Sequence, residues 1–216
     1  DAARHIVVGD SANGRVVAFD RSGEYLFEMH IPAQTDGSVG RPSGIALSPG
    51  ASFKGAGNPP GSRLVVTDKY ACTAYIYDAQ TLEPAGRGQM GLGNCNNRGD
   101  ALQPEDLQSV EGAAIDAQGH IYLADYDRNR IEVFDVDGNL LTVFGEPPLT
   151  GMNPPGALNG PTDVVFDHQG RVVVSDSLNQ RLAIYRMTFN ASAAPSAAFL
   201  FALNAAGDLN GSPNGV

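Results

Sequence analysis

The chain has 216 residues, a formal net charge of −10 and only two cysteines. An acidic surface repels phosphate backbones and anionic lipid, which argues against binding to nucleic acid and against attachment to a membrane surface. No apolar stretch approaches the ~20 residues of a membrane span, so we expect no membrane insertion.

A repeated pattern runs along the chain. Four copies align on a dipeptide that ends in aspartate: Gly9-Asp10, Thr67-Asp68, Ala124-Asp125 and Ser175-Asp176. Each dipeptide follows an apolar segment typical of a strand buried on both faces: Ile6–Val8, Leu64–Val66, Ile121–Leu123 and Val172–Val174. The copies recur roughly every 50–58 residues without helical periodicity, so the repeat is the primary evidence for the fold.

Each unit is predicted to hold four short antiparallel strands. A further strand is predicted before each apolar segment from the second unit on: Gly44–Leu47, Gly112–Ile115 and Asp163–Phe166. A strand is predicted after each aspartate-bearing loop: Val16–Asp20, Ala74–Asp78, Ile131–Asp135 and Leu182–Arg186. An outer strand is predicted at Tyr25–Ile31, Leu140–Phe144 and Ala198–Leu203. Repeated four-stranded units predict the blades of a β-propeller. The strands of a sandwich would not recur with the same turn and loop residues at fixed positions.

One well-known repeat resembles this pattern closely. The segment from Val110–Asp116 through Arg130–Asp135 resembles the NHL repeat, and Pro161–Asp167 opens another copy. The resemblance implies an all-β, NHL-type propeller of four-stranded antiparallel blades, about four of them in this chain and six in the usual ring. The expected blades are 1–39, 40–106, 107–157 and 158–208, with 209–216 starting a further inner strand.

Both ends of the sequence fall inside a repeat. Asp1 aligns with the residue that ends an innermost strand, and the last eight residues resemble Leu158–Val164. We therefore expect the sequence to be part of a longer chain, since a buried strand cut in the middle leaves backbone groups unpaired. Two alternatives stay open: a four-bladed ring closed by bringing Val216 to Asp1, or copies that complete each other by strand addition.

The four repeated aspartates favour a structural role over a catalytic one. An active site needs one copy, whereas every unit carries this carboxylate. We expect each to cap its own loop and to pair with an arginine about five residues on, where one is present: Arg15, Arg130 and Arg181.

Two resemblances to propeller enzymes bear on catalysis. Val65–Cys72 resembles the Asp-Gly-Tyr-Cys segment of peptidyl-α-hydroxyglycine amidating lyases, which implies a shared site tyrosine, Tyr70. The positions that match the zinc histidines of that family are Ser43, Glu111, Thr162 and Asn214, and none is histidine. Ser212–Val216 is similar to a Pro-Asn-Gly segment of gluconolactonase-like propellers, whose asparagine faces a divalent cation.

The alternative function is therefore a propeller enzyme with a channel-mouth Ca²⁺ or Zn²⁺ ion, lyase-like or lactonase-like, held by Glu111 and Asn214. The preferred prediction has no catalytic residues, no cofactor and no metal. Phosphate-binding, dinucleotide and serine-hydrolase motifs do not occur in the sequence.

Cys72 and Cys95 are predicted to form a disulfide. Both lie in loops that open on the same face of a propeller, and the bridge would pin the insertion 86–104 with ~3 kcal/mol of loop entropy. Two free buried thiols are the alternative. A disulfide indicates an extracytoplasmic protein: secreted, periplasmic or at the cell surface.

The same face carries the predicted binding residues. Exposed tyrosines beside charges are typical of recognition surfaces, although a solvated rim is the alternative. The candidates are Arg41, Lys69, Tyr70, Glu111, Tyr126, Asp127, Arg128, Asp163 and Asn179. The predicted function is an extracytoplasmic protein- or glycan-binding scaffold, whose partners include further copies of itself.

Overall fold

A computed structural model describes residues 1–34, 36–90, 106–147, 154–190, 193–204 and 209–210. The first sheet contains β1 (Ile6–Asp10), β2 (Arg15–Phe19) and β3 (Tyr25–His30). The second contains β4 (Gly44–Leu47), β5 (Arg63–Asp68), β6 (Thr73–Asp78) and β7 (Pro84–Met90). The third contains β8 (Val110–Ile115), β9 (Ile121–Asp125), β10 (Arg130–Phe134) and β11 (Leu140–Phe144). The fourth contains β12 (Pro161–Phe166), β13 (Val172–Asp176), β14 (Arg181–Asn190), β15 (Ala193–Asn204) and β16 (Leu209–Asn210).

Every sheet is an antiparallel meander in which each strand pairs with its neighbours in the sequence. This confirms the predicted fold: all-β, with sheets arranged as the blades of a propeller. Short 3-10 turns at Ser11–Asn13 and Ser177–Asn179 follow β1 and β13. Within the described ranges, no helix has the length and apolar character needed to cross a membrane.

Three apolar clusters hold the four sheets together. Val16 and Ala18 of the first sheet pack with Leu64 and Val66 of the second. A second cluster joins the second and third sheets, and a third cluster joins the third and fourth. Because side chains alternate along a strand, the two middle sheets bury both of their faces.

Two glycines allow the inner strands to lie close together. A Cβ added at Gly112 would lie 2.7 Å from Cα of Asp163 in the next sheet. A Cβ added at Gly44 would lie 3.0 Å from Cα of Gly112. The inner strands β4, β8 and β12 thus meet backbone to backbone, as glycine permits.

Two outer elements differ from the sequence prediction. The outer strand β7 was not predicted, because its sequence is rich in glycine, and both Gly86 and Gly88 adopt positive φ. The β14–β15 hairpin is longer at both strands than predicted. Its extension contacts the third sheet, since the Phe189 ring stacks on His120 with centroids 3.9 Å apart.

The last described strand pairs on the outside of the fourth sheet. In β16, Leu209 and Asn210 lie opposite Leu203 and Ala202 of β15. Residues 211–216 lie outside the described ranges, so the predicted inner strand over 209–216 stays a prediction.

Candidate functional site

One side of the molecule, called here the upper face, carries the loops that follow β5, β9 and β13 and the segments that lead into β4, β8 and β12. Backbone hydrogen bonds join these two kinds of segment, as from Ser43 to Thr67 (2.8 Å) and from Tyr126 to Ser109 (2.9 Å). The sheet geometry therefore brings residues distant in the sequence to one surface, as the repeat predicted.

Four of the nine predicted binding residues form one cluster on the upper face, called here the Tyr70 cluster: Arg41, Lys69, Tyr70 and Glu111. The guanidinium carbon of Arg41 lies 4.8 Å from the centroid of the Tyr70 ring, and Lys69 Nζ lies 5.5 Å from it. Lys69 also binds both carboxylate oxygens of Glu111, at 3.0 and 3.2 Å.

The hydrogen bond to Glu111 raises the pKa of Lys69, so the Lys69 side chain is protonated at neutral pH. Tyr70 remains 52% exposed, and Arg41 is exposed. The cluster therefore offers a partner an aromatic ring flanked by two cations, a combination that favours recognition.

Two hydroxyl groups of the second sheet hold the inner strand β8 close to the Tyr70 cluster. Ser43 Oγ donates to the carbonyl oxygen of Val110 (3.0 Å), and Thr67 Oγ1 donates to that of Glu111 (2.6 Å). These bonds cross from the second sheet to the third. They therefore set the distance between Lys69 and Glu111, which belong to different sheets.

The repeated aspartates mainly hold loops, in keeping with the structural interpretation. Asp68 accepts hydrogen bonds from the backbone N–H groups of Arg41, Tyr70 and Ala71 at 2.7–3.1 Å. These bonds position Arg41 and Tyr70 of the cluster. Asp68 is fully buried, so its role is to orient the backbone below the surface.

The predicted pairing with an arginine five residues on occurs in two units. Arg15 Nε donates to Asp10 (2.8 Å), and Arg181 Nε donates to Asp176 (2.6 Å). Hydrogen bonds from Asn13 and Arg15 lower the pKa of Asp10.

The third unit uses its aspartate differently. Asp125 accepts the backbone N–H groups of Gln108 and Ser109 at 2.8 and 3.0 Å, and burial raises its pKa. Arg130, the predicted partner, instead donates to Glu132.

The other five predicted binding residues do not join the Tyr70 cluster through the contacts described. Tyr126 packs against Gly160, where an added Cβ would lie 2.7 Å from the ring. Arg128 binds the carbonyl oxygen of Asp106, and Asn179 binds Asp176 at 2.8 Å. Asp127 and Asp163 are exposed. Arg128 thus ties its loop to the segment before β8, and Asn179 braces its own loop.

Cys72, two residues after Tyr70, is buried. Its φ of 50° lies in the left-handed region, and its sulfur contacts the carbonyl oxygens of Lys69 and Gln108. Cys95 lies outside the described residues, so the Cys72–Cys95 disulfide stays a prediction.

Glu111, a predicted ligand of the alternative metal site, lies beside the ammonium group of Lys69. A cation at Glu111 would have to compete with Lys69, and Asn214 lies outside the described residues. Across the described part of the chain, no three His, Cys, Asp or Glu side chains are grouped to hold a metal.

A buried ion pair within β10 was missed by the sequence prediction. Arg130 Nε and one terminal nitrogen donate to Glu132 Oε1 at 2.8 and 2.6 Å. The other oxygen, Oε2, is buried and has no hydrogen-bond partner in the described structure. The available signal was a glutamate where the equivalent strands carry Val17 and Ala183.

The four radial meanders define the class of protein as a β-propeller. Residues 107–134, which include all of β8 to β10, match the model of the NHL repeat. The chain is therefore a β-propeller in which residues 107–134 form an NHL repeat.

Comparison with solved structures supports the same class. Virginiamycin B lyase from Staphylococcus aureus aligns over 90% of this chain and 51% of its own, with 10% identity and a TM-score of 0.54. A streptogramin B lyase structure aligns over 95% and 64%, with 10% identity and a TM-score of 0.55. Hydrazine synthase from Kuenenia stuttgartiensis aligns over 95% and 44%, with 15% identity and a TM-score of 0.51.

This chain thus spans about half the length of virginiamycin B lyase. No curated protein sequence matches it significantly. Identities of 10–15% show a shared fold alone.

Proposed function

We propose that this NHL-type propeller is an extracytoplasmic binding and scaffold module that recognises a protein or glycan partner through its upper face. The observation that carries the proposal is the Tyr70 cluster. Its half-exposed ring lies 4.8 Å from the guanidinium carbon of Arg41 and 5.5 Å from Lys69 Nζ, while Asp68 fixes the backbone of Arg41 and Tyr70.

The chemistry of the cluster favours a partner with carboxylates. The protein as a whole carries a net charge of −10, so an exposed arginine and a half-buried lysine beside an aromatic ring form a local exception. Acidic peptides and uronic-acid glycans share the carboxylate that such cations bind, and a sugar or side chain can pack on the ring. Both kinds of ligand therefore belong in the same assay.

The Tyr70→Ala variant is expected to lose partner binding. The full chain is tested against arrays of uronic-acid oligosaccharides and acidic peptides, and the dissociation constant of each bound probe is then measured for the variant. Truncation of an aromatic anchor costs about 2 kcal/mol, or about thirtyfold in affinity.

Tyr25→Ala is the matched control, since Tyr25 is similarly exposed but lies on the outer strand β3. Its affinity should stay unchanged. If neither array retains the wild-type protein, or if the Tyr70→Ala variant binds as well as wild type, the proposal fails.

The extracytoplasmic location rests on the predicted disulfide and has its own test. Because Cys72 is buried, thiols are titrated in denaturant without reductant and again after reduction. We expect no reactive thiol in the first titration and two in the second. Two thiols without reductant would contradict both the pairing and the argument for location.

A further inference from the structure

A carboxylate of this chain already occupies one of the two cations in the Tyr70 cluster. Lys69 Nζ lies 3.0 and 3.2 Å from the two carboxylate oxygens of Glu111. The Arg41 side chain is exposed and lies over the Tyr70 ring. A carboxylate that arrives from outside can therefore bind Arg41 directly, but at Lys69 it has to compete with Glu111.

The backbone around this ion pair is held by other bonds. Ser43 Oγ accepts the N–H group of Lys69 at 3.3 Å and donates to the carbonyl oxygen of Val110 at 3.0 Å. Thr67 Oγ1 donates to the carbonyl oxygen of Glu111 at 2.6 Å. These hydroxyl groups join the two sheets without using either charged side chain. The Glu111 side chain can therefore turn away from Lys69 while the sheets stay in place.

The ion pair itself is accessible to solvent. Of the two side chains, 34% of Lys69 and 24% of Glu111 is exposed. An ion pair in contact with water contributes little net stability, because water and salt screen the attraction between the charges. A second carboxylate can therefore replace Glu111 at a small cost in free energy. Contacts of the same ligand with Arg41 and Tyr70 raise the local concentration of that carboxylate beside Lys69.

The present occupant of Lys69 indicates the class of partner. It is the side chain of a glutamate in a polypeptide. An acidic peptide segment presents the same carboxylate on the same kind of flexible side chain, whereas the carboxylate of a uronic acid is fixed to a sugar ring. Of the two carboxylate ligands that suit the cluster, the geometry at Lys69 thus favours the peptide.

We propose that Glu111 is a specificity-determining residue that occupies Lys69 in place of an acidic side chain of a protein partner. On binding, a glutamate or aspartate of the partner displaces Glu111, and a second carboxylate binds Arg41. The bound state then uses both cations of the cluster. The inference rests on the recognition role proposed above and names its partner as an acidic protein segment.

The test measures the affinity of the full chain for a peptide of four glutamate–serine pairs with capped ends. Glu111→Gln keeps the shape of the side chain and removes its charge, so the dissociation constant should fall about fivefold, which is about 1 kcal/mol. The same peptide with glutamine in place of glutamate is the neutral probe, and its binding should not change. If Glu111 served only to brace Lys69, the substitution would instead weaken binding of the acidic peptide.

Glu24→Gln is the matched control for net charge. It removes one negative charge from an exposed turn between β2 and β3, at the opposite end of the strands from the upper face. Its affinity for the acidic peptide should equal that of wild type. Circular dichroism checks that each variant is folded.

A double-mutant cycle shows whether the gain depends on Lys69. In the Lys69→Gln background the cation is absent, so the further change Glu111→Gln should give no gain in affinity. A gain that persists without Lys69 would overturn the inference. So would a Glu111→Gln single variant that binds the acidic peptide no more tightly than wild type.

These outcomes are separate from those of the Tyr70→Ala assay. If the acidic peptide binds in a Tyr70-dependent way but Glu111→Gln gives no gain, only this inference fails. If uronic-acid oligosaccharides bind and the acidic peptide does not, the recognition site stands and the peptide partner is wrong. If neither kind of probe binds, the proposed recognition site itself fails.

Discussion

The free energy of unfolding is expected to fall as the pH rises from about 5 to about 8, and this dependence should weaken in the Glu132→Gln variant. Burial raises the pKa of Glu132 from 4.5 to about 8. The ion pair with Arg130 opposes the shift without cancelling it. A neutral carboxylic acid is also easier to bury than a carboxylate with one oxygen unpaired.

The sign follows from proton linkage. Between 4.5 and about 8 the folded state retains a proton on Glu132 that the unfolded state has released. The stabilisation is complete below 4.5 and is lost as the pH rises through the folded-state pKa. One such group gives a slope of at most about 1.4 kcal/mol per pH unit.

Urea denaturation at several pH values measures this slope for wild type and variant. Glu146→Gln is the matched control, because Glu146 also faces Arg130, at 3.7 Å, but is largely exposed. Its slope should match wild type. An equal slope in the Glu132→Gln variant would show that this carboxyl does not titrate as expected.

Substitution of Gly112 is expected to destabilise the protein strongly. The added methyl group of alanine would meet backbone atoms of the next inner strand, with Thr162 O at 2.9 Å and Asp163 Cα at 2.7 Å. Backbone cannot move aside as a flexible side chain does, so the two sheets must separate. Overpacking of this kind costs about 1–3 kcal/mol, and the larger Gly112→Val change should cost more.

Gly57→Ala is the matched control for this prediction. An added Cβ at Gly57 meets nothing within 4 Å. Neither glycine has a positive φ, so the two substitutions differ in their contacts. Thermal unfolding should show a lowered midpoint for Gly112→Ala alone. A Gly112→Ala chain as stable as the control would contradict the close approach of β8 and β12.

The sequence predicted the strands well where the repeat was regular. Leu64 to Val66 and Ile121 to Leu123 were placed correctly, because strands buried on both faces are continuously apolar. The outer strand β7 was missed because glycines at positive φ break the apolar pattern. The full length of the β14–β15 hairpin depends on contacts such as Phe189 with His120, which lie far apart in the sequence.

The candidate site was predictable only in part. The repeat placed Lys69, Tyr70 and Glu111 on one face, but it did not indicate that Lys69 and Glu111 form an ion pair. It also predicted both Tyr126 and Tyr70 as binding residues, although Tyr126 packs on Gly160. Such differences arise from packing between sheets, and one repeat unit read alone contains no information about it.

The enclosure of the two middle sheets has a consequence for local motion. Each blade contacts only its neighbouring blades, so the free energy needed to unfold it locally depends on the interfaces with those neighbours. The second and third sheets have two such junctions within the described structure, and the first and fourth have one. Backbone amides such as those of Val65 and Leu123 should therefore exchange with deuterated solvent most slowly, and fraying should start from β1 and β15.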